Sequence, residues 1–430
     1  MTDINGPLIR YAERLHATAG AGHHVASPLG AWLLLALAGP ATAGPDRAEL
    51  EDVLGTDVAG AAAAVRALLE APHPLVAAAS AVWQRAGLDA GALDRWRATL
   101  PASTATGPLP DQPALNDWAR EHTLGLIDQF PVAVTPQTLL VLASALATRI
   151  SWEDPFEVTP ADGLGPASPW ANRLRRVLRS PERGHKCWIA TSSRAGDVAV
   201  HAAPSTRVST ADGDAGLLVV SVAAAPEVAP VDVLAAAHEL ATAAVTAPDG
   251  DEPHGKRRRL AANPTGRRSL FDLSLGDTAM WTLREEPTWT YAPDGREEKV
   301  TAFLPCWSAE SRHNLNVERL GFPVATWAFG ALLNAPDLTA AVVQTAVARY
   351  GRYGFEAAAV TGWGMATSLP PEGIARIAEL RFGHPYAVVA VATDTRRGGA
   401  TGPWHGVPVF SAWVAEPEEV PEADLADHED

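Results

Sequence analysis

The sequence predicts an α+β protein, and three observations carry the prediction. Apolar residues recur at helical spacing through much of the first 130 residues. The run from Thr138 to Ile150 is apolar and free of charge until Arg149, as suits a central strand buried on both faces. Beyond residue 270, short strand-like runs bounded by turn residues dominate. With 47% hydrophobic and 20% charged residues, the chain has the material for a large core.

Taken in order, Leu8, Ile9, Tyr11, Leu15 and His16 make residues 7–18 an amphipathic helix. Ser27 caps a second helix, Pro28 suits its first turn, and the apolar run from Leu29 buries it. His23 and His24 are adjacent, so they do not share a helix face as metal ligands would; they read as loop residues. A short helix ends at the C-cap Gly55. A helix over 59–71, a strand over 75–84 and a helix over 91–99 around Trp96 follow. Leu115, Trp118, Leu124 and Ile127 predict an amphipathic helix over 112–128. After the charge-free strand, 216–223 reads as a strand and 229–246 as a helix starting at Pro230. Strands are expected at 270–273, 278–283 and 300–305, with a hairpin turn at Pro293-Asp-Gly295. Residues 337–350 fit helix or strand.

The formal net charge of −16 repels phosphate backbones and acidic membrane surfaces, so neither nucleic acid nor a membrane is expected as a partner. Much of the terminal excess lies in 416–430, which reads as a solvated acidic tail. The opposite cluster, Lys256 to Arg259 with Arg267 and Arg268, reads as a solvated basic loop. Cys187 and Cys306 are too few for a disulfide scaffold or a zinc site, and no metal or other cofactor is expected. No signal peptide is visible at the N-terminus, and the longest apolar run is too short to span a bilayer. A cytoplasmic location is expected, with export as the alternative. No Gly-x-Ser-x-Gly elbow, phosphate loop or His-Glu-x-x-His helix is present, so no catalytic site of its own is expected.

One stretch departs from ordinary loop composition. From Gly354 to Pro371 the only charge is Glu356, the side chains are mostly small, and two prolines close the run. At a period of two, Phe355, Ala357, Ala359, Thr361 and Trp363 face one way, and Glu356, Ala358, Val360, Gly362 and Gly364 the other. Gly354-x-Glu-Ala-Ala-Ala-x-Thr361 resembles the proximal hinge of the reactive-centre loop of serpins, a family of protease inhibitors, and Ser368-Leu-Pro-Pro-Glu372 resembles the residues just past their cleaved bond. The block from Leu115 to Phe156, with Trp118, Trp152 and Phe156, is similar to the most specific serpin pattern in the chain. Ser27-Pro28, Glu49 to Gly55, Leu304 to Ser311, Phe382 to Val391 and Val407 to Pro417 resemble further serpin segments, whereas 157–268 is weakly matched.

This resemblance implies one domain over 1–417 with three β-sheets, eight or nine helices and an exposed reactive-centre loop within 354–381, followed by an acidic disordered tail at 418–430. It implies a monomer that serves as bait for a serine-type, or alternatively cysteine-type, protease. Hinge residues would be Gly354, Phe355, Glu356, Ala357, Ala358, Ala359, Val360 and Thr361. Ser27, Ser144, Trp152 and Gln344 would control opening of the main sheet, with Gly30 where a second serine is expected, Ser144 in place of an asparagine and Gln344 in place of a histidine. Arg352 stands where glutamate is usual, and Phe355 where the first inward hinge residue is small. Spacing from Gly354 places the scissile bond at Ser368-Leu369, whereas the following prolines place it at Thr367-Ser368. Met365 and Leu369 suit a chymotrypsin- or elastase-like pocket. Extra residues between Glu372 and Phe382, including Arg376, would lengthen the far side of the loop. The alternative reading is a non-inhibitory binding or carrier protein of the same fold.

Overall fold

A computed structural model describes residues 4–87, 91–246, 265–354 and 371–425. Among them are eight α-helices and eighteen strands. The first half is mainly helical. Helix α1 (Asn5–Ala19) turns Leu8, Tyr11, Leu15 and His16 inward. A short strand β1 (His24–Ala26) leads into α2 (Pro28–Ala38). Ten of the eleven residues of α2 are buried, because the helix is apolar on every side and lacks an outward face. Helices α3 (Gly44–Leu54) and α4 (Val58–Glu70), strand β2 (Val76–Gln84), helix α5 (Gly91–Arg97), strand β3 (Ala105–Pro108), helix α6 (Gln112–His122) and strand β4 (Leu140–Thr148) complete this half.

The second half is mainly strand: β5 (Glu157–Pro160), β6 (Arg176–Arg179), β7 (Lys186–Ser192), β8 (Gly196–Pro204), β9 (Val208–Ser209) and β10 (Gly213–Ala223). Helix α7 (Pro230–Thr246) covers β10, and the chain resumes with β11 (Gly276–Asp277), β12 (Trp281–Trp289), β13 (Arg296–Leu304) and β14 (Trp307–Asn314). Helix α8 (Phe322–Leu332) precedes β15 (Val343–Tyr350), β16 (Glu372–Arg381), β17 (Tyr386–Arg396) and β18 (Pro408–Val414). Thus 337–350 resolves as an approach followed by a strand.

A seven-stranded sheet has the order β1-β18-β17-β10-β8-β7, with β9 on β10. A six-stranded sheet runs β11-β12-β16-β13-β6-β5. The third layer is divided into the ladders β3-β2-β4 and β14-β15. Helix α2 lies beneath this division, and its side chains belong to the largest hydrophobic cluster.

Several expectations change. Helix α6 stops at His122 rather than continuing to 128, because Leu124 and Gly125 take positive φ (54° and 74°) and Leu124 points outward at 41% exposure. Residues 270–272 form a 3₁₀ turn capped by Ser269, not a strand. The next long strand begins at Trp281, since Thr278 Oγ accepts the Met280 and Trp281 N–H groups and folds the chain into a turn first. Pro293-Asp-Gly295 does turn the chain, but it makes no hairpin: β16 lies between β12 and β13, antiparallel to one and parallel to the other. His24 lies in β1, not in a loop. The stretch 372–381, expected as a lengthened loop, is β16 itself.

The tail also differs up to residue 425. Glu418 N–H donates to Cys306 O at 2.7 Å, and its carboxylate accepts from the Ser308 hydroxyl. The Glu419 carboxylate accepts the N–H groups of Arg175 and Arg176 at 2.7 and 3.0 Å. Val420 is 2% exposed. Residues 418–425 are therefore a strap tied to the body.

Candidate functional site

Strands β4 and β15 each pair on one edge only, β4 with β2 and β15 with β14. Among the described residues no ladder joins their facing edges. Between them lies a cavity of about 460 Å³, lined by Leu140, Leu142, Ser144 and Leu146 of β4 and by Val343, Thr345 and Val347 of β15. Trp118, Ile127 and Phe130 line its outer side and Ala31 and Leu34 of α2 its inner side. This slot explains why β4 is not buried on both faces as expected: Leu140, Leu142 and Ser144 are only partly buried.

Both strands run toward the same end. Beyond them, Ser151 bridges Gly354, Trp152 N–H donates to Tyr353 O at 3.2 Å, and Phe156 N–H donates to Arg352 O at 3.0 Å. Because β4 and β15 are parallel, a chain reversing at Gly354 would run antiparallel to both, with a free edge on either side to pair with. Gly354 has φ +77°, and a Cβ there would come within 2.5 Å of Ile150 O, so no other residue fits without strain.

The far part of the slot is closed by the start of α2. Ser27 N–H donates to Gln344 Oε1 at 2.9 Å, while Gln344 Nε2 donates to Ser27 O at 2.8 Å. On the other side Ser144 Oγ donates to Gly30 O at 2.9 Å. Ser27 Oγ accepts from Gly30 N–H and donates to Val409 O at 2.8 Å, tying α2 to β18. A Cβ on Gly30 would lie 3.2 Å from Ser27 Oγ and 3.5 Å from Gln344 Nε2. The long amide of Gln344 thus occupies room that a side chain at position 30 would need. Three of the expected opening residues, Ser27, Ser144 and Gln344, meet here.

Trp152 sits at the other end. Its indole Nε1 donates to Gly351 O at 2.9 Å, and its ring packs on Tyr350 at 5.2 Å and Phe156 at 6.0 Å. Trp307 stacks on Tyr350 at 5.8 Å. Arg352 donates from Nε to Phe156 O at 3.2 Å and from Nη1 to Asp424 O at 2.6 Å, with its guanidinium over the Tyr353 ring. The position where the resemblance expects an acid therefore holds a cation that anchors the terminal strap. Only the strap's apolar Val420 within an acidic run could have signalled this contact in the sequence. Of the hinge, Gly354 alone is described; Phe355, Glu356, Ala357, Ala358, Ala359, Val360 and Thr361, and the scissile candidates Thr367, Ser368 and Leu369, lie outside the described residues. The described chain resumes at Pro371, whose carbonyl accepts the Thr290 N–H at 3.0 Å.

Beneath the sheets lies a buried histidine network that the sequence did not suggest. His16 Nδ1 meets His24 Nε2 at 2.9 Å, and His16 Nε2 meets Ser411 Oγ at 2.6 Å. His313 Nε2 donates to Val25 O at 2.7 Å. Burial, and then the neighbouring histidines, hold His16 well below the ordinary imidazole range. Burial alone pushes His238 down to about 4. Ser411 and His16 are each 2% exposed, so this serine–histidine pair is sealed from any substrate. His384 Nε2 donates to Ala224 O at 2.7 Å, as a packed histidine does.

Cys187 and Cys306 are free thiols, and burial pushes each up to about 12. Among the described residues no group of three His, Cys, Asp or Glu could hold a metal, and no helix is long and apolar enough to cross a membrane. Arg268 of the basic cluster pairs with Asp197 at 2.8 Å; residues 256–259 lie outside the described residues.

No family profile matches the sequence, and no curated protein matches it either. Solved structures do. Tengpin, a thermophilic serpin in its native state, is 14% identical with a TM-score of 0.62, over 97% of this chain and 95% of its own. A cleaved Serpin 42Da is 13% identical with a TM-score of 0.60, over 96% and 97%. Thyroxine-binding globulin in complex with thyroxine is 13% identical with a TM-score of 0.57, over 96% and 99%. At these identities the likeness is one of fold, and it spans nearly the whole chain.

Proposed function

We propose that this chain, which has the serpin fold, is a suicide-substrate inhibitor of serine-type endopeptidases. The slot between β4 and β15 carries the reading: two parallel strands with unpaired facing edges converge on Gly354, from which a returning segment would be antiparallel to both. In this scheme a target enzyme's nucleophile attacks a bond at Thr367-Ser368 or Ser368-Leu369, the peptide C–N bond breaks to give a new amino terminus on the downstream piece, and the acyl-enzyme forms on the upstream piece. The cut segment beginning at Phe355 then enters the slot as an added strand, dragging the tethered enzyme across the molecule. A strand of about a dozen residues adds roughly ten ladder hydrogen bonds, each worth about 1 kcal/mol net. That sum offsets the disruption of a protease active site, provided insertion outruns hydrolysis of the acyl-enzyme. Ala357, Ala359 and Thr361 are small enough to enter early. Phe355 is not, and it slows the first step, so a fraction of target encounters ends in simple cleavage. Met365, Thr367, Ser368 and Leu369 favour chymotrypsin- or elastase-like specificity over trypsin-like.

The test is incubation with a panel of serine and cysteine endopeptidases. The reading expects a covalent complex stable to denaturing electrophoresis with at least one of them. Absence of a complex with every enzyme, together with an unchanged melting temperature after loop cleavage, would instead favour a non-inhibitory binding protein of this fold. The bulky Phe355 and the Arg352 anchor to Phe156 and Asp424 favour that second reading.

A further inference from the structure

Seven large hydrophobic side chains stay exposed among the described residues, and three of them, Trp289, Tyr291 and Ile374, gather where the chain resumes at Pro371. Their grouping follows from the register of the six-stranded sheet. Trp289 is opposite Glu372 and Pro287 is opposite Ile374, so Pro287, Trp289 and Ile374 share one face. Trp289 is 57% exposed, Tyr291 62% and Ile374 46%. Exposed aromatics of this size are the side chains that anchor protein interfaces.

We infer that this patch is a docking surface for the body of the endopeptidase that attacks the 367–369 segment. The inference rests on the bait reading above and deepens it. Chain reach supplies the argument. Pro371 is two to four residues past the candidate bonds, so the bond lies at most about 14 Å from it along the chain. A standard interface covers about 800 Å² per partner, a disc of roughly 15 Å radius. An enzyme seated on that bond therefore covers the patch with the surface flanking the leaving-group side of its cleft. Charge narrows the partner. On the patch face Arg376 is held by Glu285 at 3.1 Å and the exposed Arg296, opposite Ile374, lies over the Phe271 ring, while Glu372 and Asp294 are exposed beside the patch. The partner surface is accordingly apolar at its centre, with basic side chains facing Glu372 and Asp294 and an acidic one facing Arg296.

The experiment uses the full chain and the fastest-attacking member of a panel of chymotrypsin- and elastase-like endopeptidases. It reads the second-order rate constant for attack on the loop, whether attack ends in complex or in cleavage. Trp289→Ser with Tyr291→Ser should lower that constant at least tenfold, whereas Trp289→Phe should restore most of it. A rate within twofold of the wild type overturns the patch and leaves the inhibitory reading standing. Cleavage of wild type without a complex, here and with every enzyme of the wider panel, and with no rise in melting temperature, ends the inhibitory reading, yet a tenfold slower attack on the double variant still supports the patch. If no enzyme of the panel cuts between 355 and 371, both fail. If sedimentation shows a wild-type dimer that the double variant abolishes, the surface serves a second copy of the chain and the proposal is overturned.

Discussion

Gly354 shows how one residue fixes the direction of everything after it. Its φ of +77° and the 2.5 Å approach to Ile150 O admit no side chain. Gly354→Ala should lower stability by about 2 kcal/mol in urea unfolding, and a change below 0.5 kcal/mol would mean that the turn relaxes freely. His238 offers a second test at this scale. It is 1% exposed, and among the described residues neither ring nitrogen has a hydrogen-bond partner and His16, at 6.0 Å, is the neighbouring ring. The folded state holds His238 neutral down to about pH 4, whereas an unfolded histidine takes up its proton near 6.5. Its contribution is therefore intact above pH 6.5 and is lost as pH falls toward 4, at about 1.4 kcal/mol per pH unit. His238→Leu should make the loss between those pH values smaller by about 3 kcal/mol while changing stability at pH 7.5 little. Equal slopes for the two proteins in denaturant titrations would contradict this. The sequence concealed the His16–Ser411 pair beside His238 because a histidine's burial depends on which distant strand covers it, and Ser411 is 395 residues from His16.

At the scale of elements, local chemistry was a good guide where the element stops itself. Pro230 opens α7, Ser27 caps α2, and Gly55 ends α3 at φ +70°. It was a poor guide where a neighbour decides. Nothing between Trp289 and Arg296 announces that β16, arriving some 80 residues later, takes the place between their strands. Likewise the terminal strap reads as solvated acid until Arg352 and the Arg175–Arg176 amides are seen to receive it. Of the slot, Ser27, Ser144, Gln344 and Trp152 were legible through the resemblance, but their geometry was not. The amide of Gln344 makes two hydrogen bonds to Ser27 at the closed part of the slot. Gln344→Ala removes both and leaves the Ser27 N–H and carbonyl without those partners, so stability should fall by about 2 kcal/mol in equilibrium unfolding. If Gln344→Ala were as stable as wild type, the closure would have to reside elsewhere in α2.

For the molecule as a whole, the divided third layer means that the described sheets are not fully paired. Filling the slot with an added strand would complete the layer. Cleavage between 355 and 371 should therefore raise the melting temperature by 10 °C or more, since several kcal/mol displace the midpoint of a chain this long by a few degrees each. Calorimetry on intact and clipped protein checks this, and equal midpoints would show that the slot stays empty. Periodicity announced the helices of the first half and strands within β4, β10, β12 and β13, whereas of the six strands β5–β10 only β10 was anticipated. The gap was not, because an unpaired edge looks the same in sequence as a paired one.

The interleaving of β16 carries a practical corollary. A nick upstream of Glu372 severs the polypeptide, yet the piece beyond it, roughly 60 residues, contributes a strand gripped on both sides and two more that line the seven-stranded sheet. The two fragments should travel together through gel filtration and part only in detergent, so a preparation that elutes as one peak can already be spent.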